Sequence, residues 1–418
     1  MRFRIDAAGS LEYIYSSEGL EYRVLERLDG GMLEGPRSAR IEELREVVKL
    51  VSWVFSFDKY GISIDRIFPH VFCESNIDNL RIIVCDGKVV SHLAIWEGLL
   101  YFYGIQLKIG LIGCVCTHPD YRMRGYASML VSDAFTKLRR DDVDLVMVSG
   151  ARMLYSRVGC VESGILYDYV IPADRAELFK DRIGGVEIEE YRGDDALDLV
   201  ELYQREPIRF RRSYDEFKLL VDRIFTVSVE AKGYASIYLS YKMGRVISYV
   251  VLLRWPGSSL ATVIEYAGSR TGILSMLYDT ARMHGVDRIR LQIPYGEWDL
   301  VASLESYGLK PEASYAPASF AILNPPVFIE KIKPYIEERI GVGLDFKVSP
   351  RDGYIELYAS GESMKLKDSR MLTALVFGRP SIIRNLDDDD IAIDMDRIPR
   401  IFRRVFPLPS IRYGLNYI

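Results

Sequence analysis

Along residues 37–55, RSARIEELREVVKLVSWVF, apolar side chains return at intervals of three and four, at Ile41, Leu44, Val47, Val48, Val51 and Val54. That period is one face of a helix, so the stretch predicts an amphipathic helix laid on a core. The pattern then changes. LRIIVCDGKVVSHLAIWEG (80–98) holds two β-rich runs joined at Asp86 and Gly87, a hairpin signal. IQLKIGLIGCVCT (105–117) predicts a third long strand. Helical spacing returns at about 125–140, where positions 127, 130, 131, 134, 135 and 138 make one apolar stripe. VDLVMVSG (143–150) is a continuous apolar run of the kind buried on both faces of a sheet. Antiparallel strands followed by a strand-helix-strand unit predict an α+β domain.

The same order recurs downstream. ASIYLSYKMGRVISYVVLLRW (235–255) reads as strand, turn at Gly244, strand; ATVIEYAG (261–268) as a strand; GILSMLYDTARMHG (272–285) as a helix; and VDRIRLQIP (286–294) as a strand. SMLVSDA from Ser128 is echoed by SMLYDTA from Ser275, so an internal duplication is expected. LNPPVFIEKIKPY (323–335) pairs two prolines with an amphipathic helix and marks a boundary. Beyond it, FKVSPRDGYIELYASG predicts strands about an Asp352-Gly353 turn, DSRMLTALVFG predicts a helix, and the acidic run 387–390 predicts a solvated loop. The expected domains are 1–170, 171–322 and 323–418.

Composition narrows the function classes. At 418 residues and 49% hydrophobic, the chain is long enough for two or three cores. Its longest apolar stretch, LAIWEGLLYFYGI, is interrupted by Glu97 and falls short of the roughly 18 apolar residues of a membrane span. With no leader-like start either, a cytoplasmic protein without a membrane partner is expected. The net charge is −5, so no basic field exists to attract nucleic acid. The run REPIRFRR (205–212) is read as a solvated helix face. Five cysteines, at 73, 85, 114, 116 and 160, lack zinc-like spacing and read as small buried side chains in a reducing compartment. The histidines at 70, 92, 118 and 284 do not pair at ligand spacing, and no metal site is expected. Scarcity of glutamine and asparagine points to a heat-adapted source.

The distinctive chemistry lies in CVCTHPDYRMRGYASMLVSDAF (114–135). If the strand ends near Thr117 and the chain turns at Pro119 into a helix near Gly125, the amides of Met123 to Ala127 gather at a helix N-terminus. Unpaired N–H groups and the helix dipole attract an anion there. Arg122 and Arg124 add positive charge, and small residues at Gly125 and Ala127 let a phosphate approach the backbone. The assembly reads as a pyrophosphate cradle.

VCTHPDYRMRGYA (115–127) resembles motif A of the GNAT acetyltransferases. The resemblance implies acetyl-coenzyme A as co-substrate, with Val115 and Thr117 offering backbone groups to pantetheine. It assigns the pyrophosphate turn to Arg122, Met123, Arg124, Gly125, Tyr126 and Ala127. Met123 stands where relatives often carry a basic residue. ARMLYSRVGC (151–160) is similar to the segment after the fifth strand of that superfamily, which makes Tyr155 the implied general acid. A phenol with an ordinary pKa of ~10 is matched to protonating a departing thiolate.

From about residue 20 onward the organisation resembles the enhanced intracellular survival (Eis) family. That likeness implies tandem GNAT folds, the second degenerate, and a sterol-carrier-like third domain around LKDSRMLTALVFGRPS (366–381). It also implies that the terminal carboxylate, here on Ile418 where the family has an aromatic residue, is the catalytic base, with Glu97 as a local alternative. The expected enzyme is an N-acetyltransferase, with the amine of an aminoglycoside-like polyamine or of a lysine side chain attacking directly. An amide near Val115 would hold the oxyanion. Asp58 and Glu97 would supply acidic pocket charge, while Trp53 and Phe57 would line the cleft. A homo-oligomer is implied, with a hexamer the suggested state. Aligning the shared SML sets Ser269, Thr271, Gly272 and Leu274 against Arg122, Arg124, Gly125 and Ala127, so the second copy is expected not to bind cofactor. The competing readings are a non-catalytic coenzyme A-binding scaffold, which would not depend on Tyr155, and a lipid carrier, which the charges in SGESMKLKDSRM disfavour.

Overall fold

A computed structural model describes residues 2–5, 11–14, 24–26, 32–150, 153–180, 184–230, 234–255, 257–349, 354–379 and 398–418. The Asp352-Gly353 turn and the acidic run 387–390 lie outside them.

The first lobe follows the predicted alternation: β1 (Met32–Ser38), α1 (Leu44–Val54), β2 (Leu80–Cys85), β3 (Lys88–Phe102), β4 (Ile105–Thr117), α2 (Tyr126–Arg140), β5 (Leu145–Ser149) and the short α3 (Met153–Ser156). Asp86 and Gly87 both have positive φ, 50° and 75°, the mirror-image turn that suits right-twisted strands. Tyr103 and Gly104 make the same turn between β3 and β4, at 49° and 85°. Strands β1 to β4 form an antiparallel meander, and β4 then runs parallel to β5. Side chains alternate across the sheet. Val146 and Val148 pack under α2 with Leu130, Ala134 and Phe135, while Leu145 and Met147 face the opposite core.

The second lobe comprises β6 (Ile165–Pro172), α4 (Tyr214–Glu230), β7 (Tyr234–Lys242), β8 (Arg245–Arg254), β9 (Leu260–Gly268), α5 (Arg270–His284) and β10 (Arg288–Pro294), and is followed by β11 (Ala318–Ile322). Here too an antiparallel meander, β7 to β9, leads into a parallel pair, β9 with β10. The lobes exchange strands. β6 follows the first lobe in sequence but pairs with β10 of the second sheet. β11 follows the second lobe and pairs with β5 of the first. Cuts at 170 and 322 therefore fall within β6 and at the end of β11.

The remaining elements are α6 (Pro325–Ile340), a three-stranded antiparallel sheet of β12 (Leu344–Ser349), β13 (Tyr354–Ala359) and β14 (Glu362–Leu366), and α7 (Ser369–Phe377). Side-chain caps start both helices: Asn324 accepts from the Val327 amide at 3.4 Å and Asp368 from the Met371 amide at 3.0 Å. Phe328, Ile332 and Phe377 share one core with Leu107, Ile109 and Phe320, so this region covers the face of the first sheet opposite α2. The architecture is mixed α and β, as expected. Among the described residues no helix is long and apolar enough to cross a membrane.

Candidate active site

The site begins where two parallel strands part. β4 and β5 pair only from Ile109 with Leu145 to Ile112 with Val148. From Gly113 to Thr117, β4 keeps its antiparallel neighbour β3 but has no strand partner on the β5 side among the described residues. On the β3 side the register steps from Ala94 opposite Gly113 to His92 opposite Cys116. Cys114 and Val115 thus share one partner position. Cys114 lies at φ 53°, and such a bulge turns backbone groups out of the ladder. The result is a wedge-shaped gap with main-chain edges.

The turn after β4 leads from this gap to the start of α2. Residues 119–121 form a short 3-10 turn, and His118 Nδ1 accepts from the Asp120 amide at 3.3 Å. Arg122 Nε donates to Thr117 O at 3.3 Å, and Arg124 donates to Asp120 O at 3.2 Å while its guanidinium lies 5.1 Å from the Tyr121 ring centre. Both arginines are exposed, and among the described residues neither has a carboxylate partner. Gly125, at φ 78°, is the N-cap of α2, and no side chain caps that end. The N–H groups of the first turn of α2 are therefore open to an anion carrying its own acceptors. Gly125 is required by its left-handed backbone, since a Cβ there would meet nothing within 4 Å. Met123 is left-handed too, at φ 62°, and fully exposed.

Two residues of the expected cradle behave differently from the one-stripe reading. The Tyr126 side chain is buried beside Met129 and Leu130, and Ala127 is only half-buried. Tyr126 can thus offer the cradle its amide and not its phenol. Thr117 is engaged as well: its hydroxyl bonds Ser91 at 2.7 Å and its carbonyl receives Arg122. Beside the turn, Trp53 stacks on His118 at 4.8 Å between ring centres, and His118 meets Tyr121 edge-on at 5.7 Å. Phe57 is half-buried and Asp58 is exposed.

Tyr155 on α3 is buried, and its carbonyl accepts from the amides of Val158 and Cys160, each at 3.1 Å. Near it lies a residue that the sequence reading missed. Tyr413 is buried with its hydroxyl unpartnered among the described residues. Burial first, then Tyr417, Cys160 and Tyr155, push its phenol well above the ordinary value. Tyr413 meets Tyr417 edge-on at 5.3 Å, and Ile418 lies in the gap itself. A Cβ on Gly113 would stand 2.5 Å from Ile418 O and 2.6 Å from its carbonyl carbon. The fold thus gathers Gly113, Tyr155 and Ile418 at one end of β4 and β5.

Glu97 is elsewhere. Its carboxylate accepts from Lys137 at 2.6 Å and lies 3.7 Å from Lys108. Lys137 is three turns along α2, about 16 Å from the helix start at 1.5 Å per residue. The run 205–212 also departs from a solvated helix face. Residues Ile208–Phe210 are a strand paired with β3, and Arg212 is buried against Glu265 at 2.8 Å. A run of charges cannot show locally which member will find a buried partner.

Cys114, beside the gap, is held as a thiol, since burial of its sulfur, and then Cys116, push its pKa far above the ordinary value. Only a thiolate is strongly nucleophilic, which disfavours an acetyl-cysteine intermediate here. His70 is half-buried, with both ring nitrogens shielded from solvent and neither partnered among the described residues. Burial, then Arg223 and Arg212, lower its pKa to about 2. Among the described residues no group of three His, Cys, Asp or Glu side chains could hold a metal ion.

Comparison with known proteins agrees with this geometry. The chain is similar in structure to a GCN5-related N-acetyltransferase from Anabaena variabilis ATCC 29413, at 18% identity and a TM-score of 0.58, over 83% of this chain and 90% of that one. It is similar to a probable N-acyltransferase from Enterococcus faecalis V583, at 15% identity and a TM-score of 0.60, over 91% and 98%. Eis1 from Mycobacterium abscessus matches at 11% identity with a TM-score of 0.56, over 90% and 97%. At such identities the likeness is one of fold. No curated protein sequence matches the chain. Residues 36–162, which contain the gap, the turn and Tyr155, match the family model of the acetyltransferase (GNAT) domain, and the chain that carries this domain is an acyltransferase.

Proposed function

We propose that the protein transfers the acetyl group of acetyl-coenzyme A directly to an amine. The observation that carries this reading is the continuity between the open edge of β4 and the uncapped start of α2, beside two arginines that have no carboxylate partner among the described residues. A pyrophosphate fits the amides from Met123 to Ala127 with Arg122 and Arg124, and the pantetheine arm fits the edge at Val115 and Thr117. This puts the thioester near Gly113 and Cys114, where an amide near Val115 can hold the oxyanion.

The neutral amine attacks the thioester carbonyl. As the tetrahedral intermediate collapses, the carbon–sulfur bond breaks and Tyr155 gives its proton to the leaving thiolate. The carboxyl group of Ile418 accepts the proton that the nitrogen sheds. Glu97 is a poor alternative because Lys137 already neutralises it. Acceptors of the polyamine class, aminoglycoside-like, or lysine side chains suit this chemistry. In the same reading the second lobe is a degenerate GNAT copy that binds no cofactor, residues 323–418 are sterol-carrier-like, and the protein is a cytoplasmic homo-oligomer.

The test is thiol release from acetyl-coenzyme A across polyamines, aminoglycosides and lysine peptides. Acceptor-dependent release supports the proposal. Tight binding of acetyl-coenzyme A with no release from any acceptor would sink the amine-transfer mechanism.

A further inference from the structure

The second sheet contains a gap like the first, and the chain fills it with its own residues. β9 pairs with β10 only from Leu260 with Arg288 to Val263 with Leu291, then continues to Gly268 with no strand partner on that side among the described residues. Counted from the last parallel pair, Glu265 occupies in β9 the position that Cys114 occupies in β4. No turn for a phosphate follows. Ser269 alone separates β9 from α5, and its hydroxyl caps the helix by accepting from the Gly272 amide at 3.1 Å. Arg270 is held by Glu206 at 2.7 Å and by Glu297 at 2.8 Å.

Into this second gap run residues 412–417. The Arg412 guanidinium lies 3.6 Å from the Tyr266 ring centre and donates to Tyr266 O at 3.2 Å. Glu265 receives the Leu415 amide at 2.8 Å, the Tyr249 hydroxyl at 2.9 Å and both arms of Arg212 at 2.9 and 2.8 Å. Arg212 Nε donates to Asn416 Oδ1 at 2.8 Å. Arg223 donates to Leu415 O and, at 3.5 Å, to Tyr417 O. The Leu415 side chain is buried in the core of the second lobe.

Arg212 and Glu265 are each only 2% exposed as side chains. A buried ion pair contributes little net stability, but it demands that its remaining hydrogen-bonding groups be satisfied. Here the segment supplies them, through one amide and one side-chain carbonyl. The next residue after these attachments is Ile418, against Gly113 of the other lobe.

We infer that the second lobe is a clamp: Glu265, Arg212 and Arg223 hold residues 412–417 in its closed-off gap and so fix Ile418 in the open gap of the first lobe. They are positioning residues for the transfer, an assignment that rests on the reading of Ile418 as proton acceptor. The lobe without a phosphate turn thus has a role in catalysis while binding no cofactor.

Two variants test this from opposite sides. Glu265→Gln weakens the buried pair. Gly414→Ala keeps both charges of the pair but places a methyl group against the Glu265 carboxylate oxygen that receives the Leu415 amide, so it loosens the segment even if the first variant fails to fold. Both are compared with wild type by amide hydrogen exchange, coenzyme A calorimetry and steady-state kinetics with spermidine or a lysine peptide. In Gly414→Ala, exchange at residues 414–418 should rise about tenfold. Coenzyme A affinity should stay within about twofold, and kcat should fall about thirtyfold or more at constant KM for acetyl-coenzyme A. Unchanged exchange overturns the clamp. Faster exchange with unchanged or higher kcat overturns the positioning role and makes the segment a passive or occluding plug. If wild type acetylates neither acceptor, the transfer reading fails on its own, and the exchange result still decides whether the clamp exists.

Discussion

Gly113 and Ile418 meet backbone to backbone at the mouth of the gap between β4 and β5, where a methyl group on Gly113 would come within 2.5 Å of Ile418 O. Because this opposing atom is backbone, Ile418 must shift if Gly113 becomes alanine. Gly113→Ala should therefore lower kcat by about 100-fold, the cost of a displacement of roughly 1 Å at a reacting group. Steady-state kinetics beside calorimetry would check it; an equal loss of coenzyme A affinity would instead mean that the methyl group blocks the cofactor.

Tyr155→Phe removes one hydroxyl from a buried position. If that hydroxyl protonates the thiolate, kcat should drop by about 100- to 10,000-fold, the usual worth of general acid catalysis, with KM nearly unchanged. Turnover equal to wild type would remove Tyr155 from the mechanism.

Arg122→Ala and Arg124→Ala should each weaken acetyl-coenzyme A binding by roughly tenfold or more, since a charge-assisted hydrogen bond is worth about 1.5–3 kcal/mol. Both side chains are exposed and, among the described residues, hydrogen-bond only to backbone carbonyls of the turn, so melting temperatures should hardly move. Titration calorimetry at two salt concentrations reads both the loss and its electrostatic origin. Wild-type affinity in the double variant would mean that the cradle lies elsewhere.

Acid should destabilise the protein before its carboxylates titrate. Burial lowers the pKa of His70 to about 2 and of His92 to about 3, against an ordinary 6.5. Between those values the unfolded chain binds protons that the folded chain refuses, so stability falls as pH drops below 6.5. Each such histidine contributes a slope of about 1.4 kcal/mol per pH unit. Denaturant melts between pH 6.5 and 5 should show the decline, and His70→Gln should reduce the slope, leaving the share of His92. An unchanged slope in that variant would mean that His70 is protonated in the folded state.

Much of the candidate site was legible because its signals are local. The apolar spacing along 127–138, the arginines at 122 and 124 and the glycine at 125 all act within a few residues, and they place the turn before α2 correctly. The same holds for the left-handed pair at Asp86 and Gly87. What escaped is set by distant partners. Nothing near Arg212 announces that Glu265 will bury it, and nothing near Gly113 announces Ile418. The stripe also took in Ala127, which is only half-buried, and left out Tyr126, which turns inward. Strand exchange is illegible for the same reason: β6 and β11 drew no reading from the sequence, and only long-range pairing decides which sheet receives each.

That exchange governs the order in which the chain can finish folding during synthesis. β5 waits for β11 on its far side, and at ordinary elongation rates β11 emerges about ten to thirty seconds after β5. Until then the nascent first sheet carries an unpaired strand edge, a template for association with other chains. The acetyltransferase lobe therefore cannot reach its finished form as an early, independent unit. A nascent chain of this protein has a prolonged need for protection, ending only when a strand encoded beyond the second lobe closes the first.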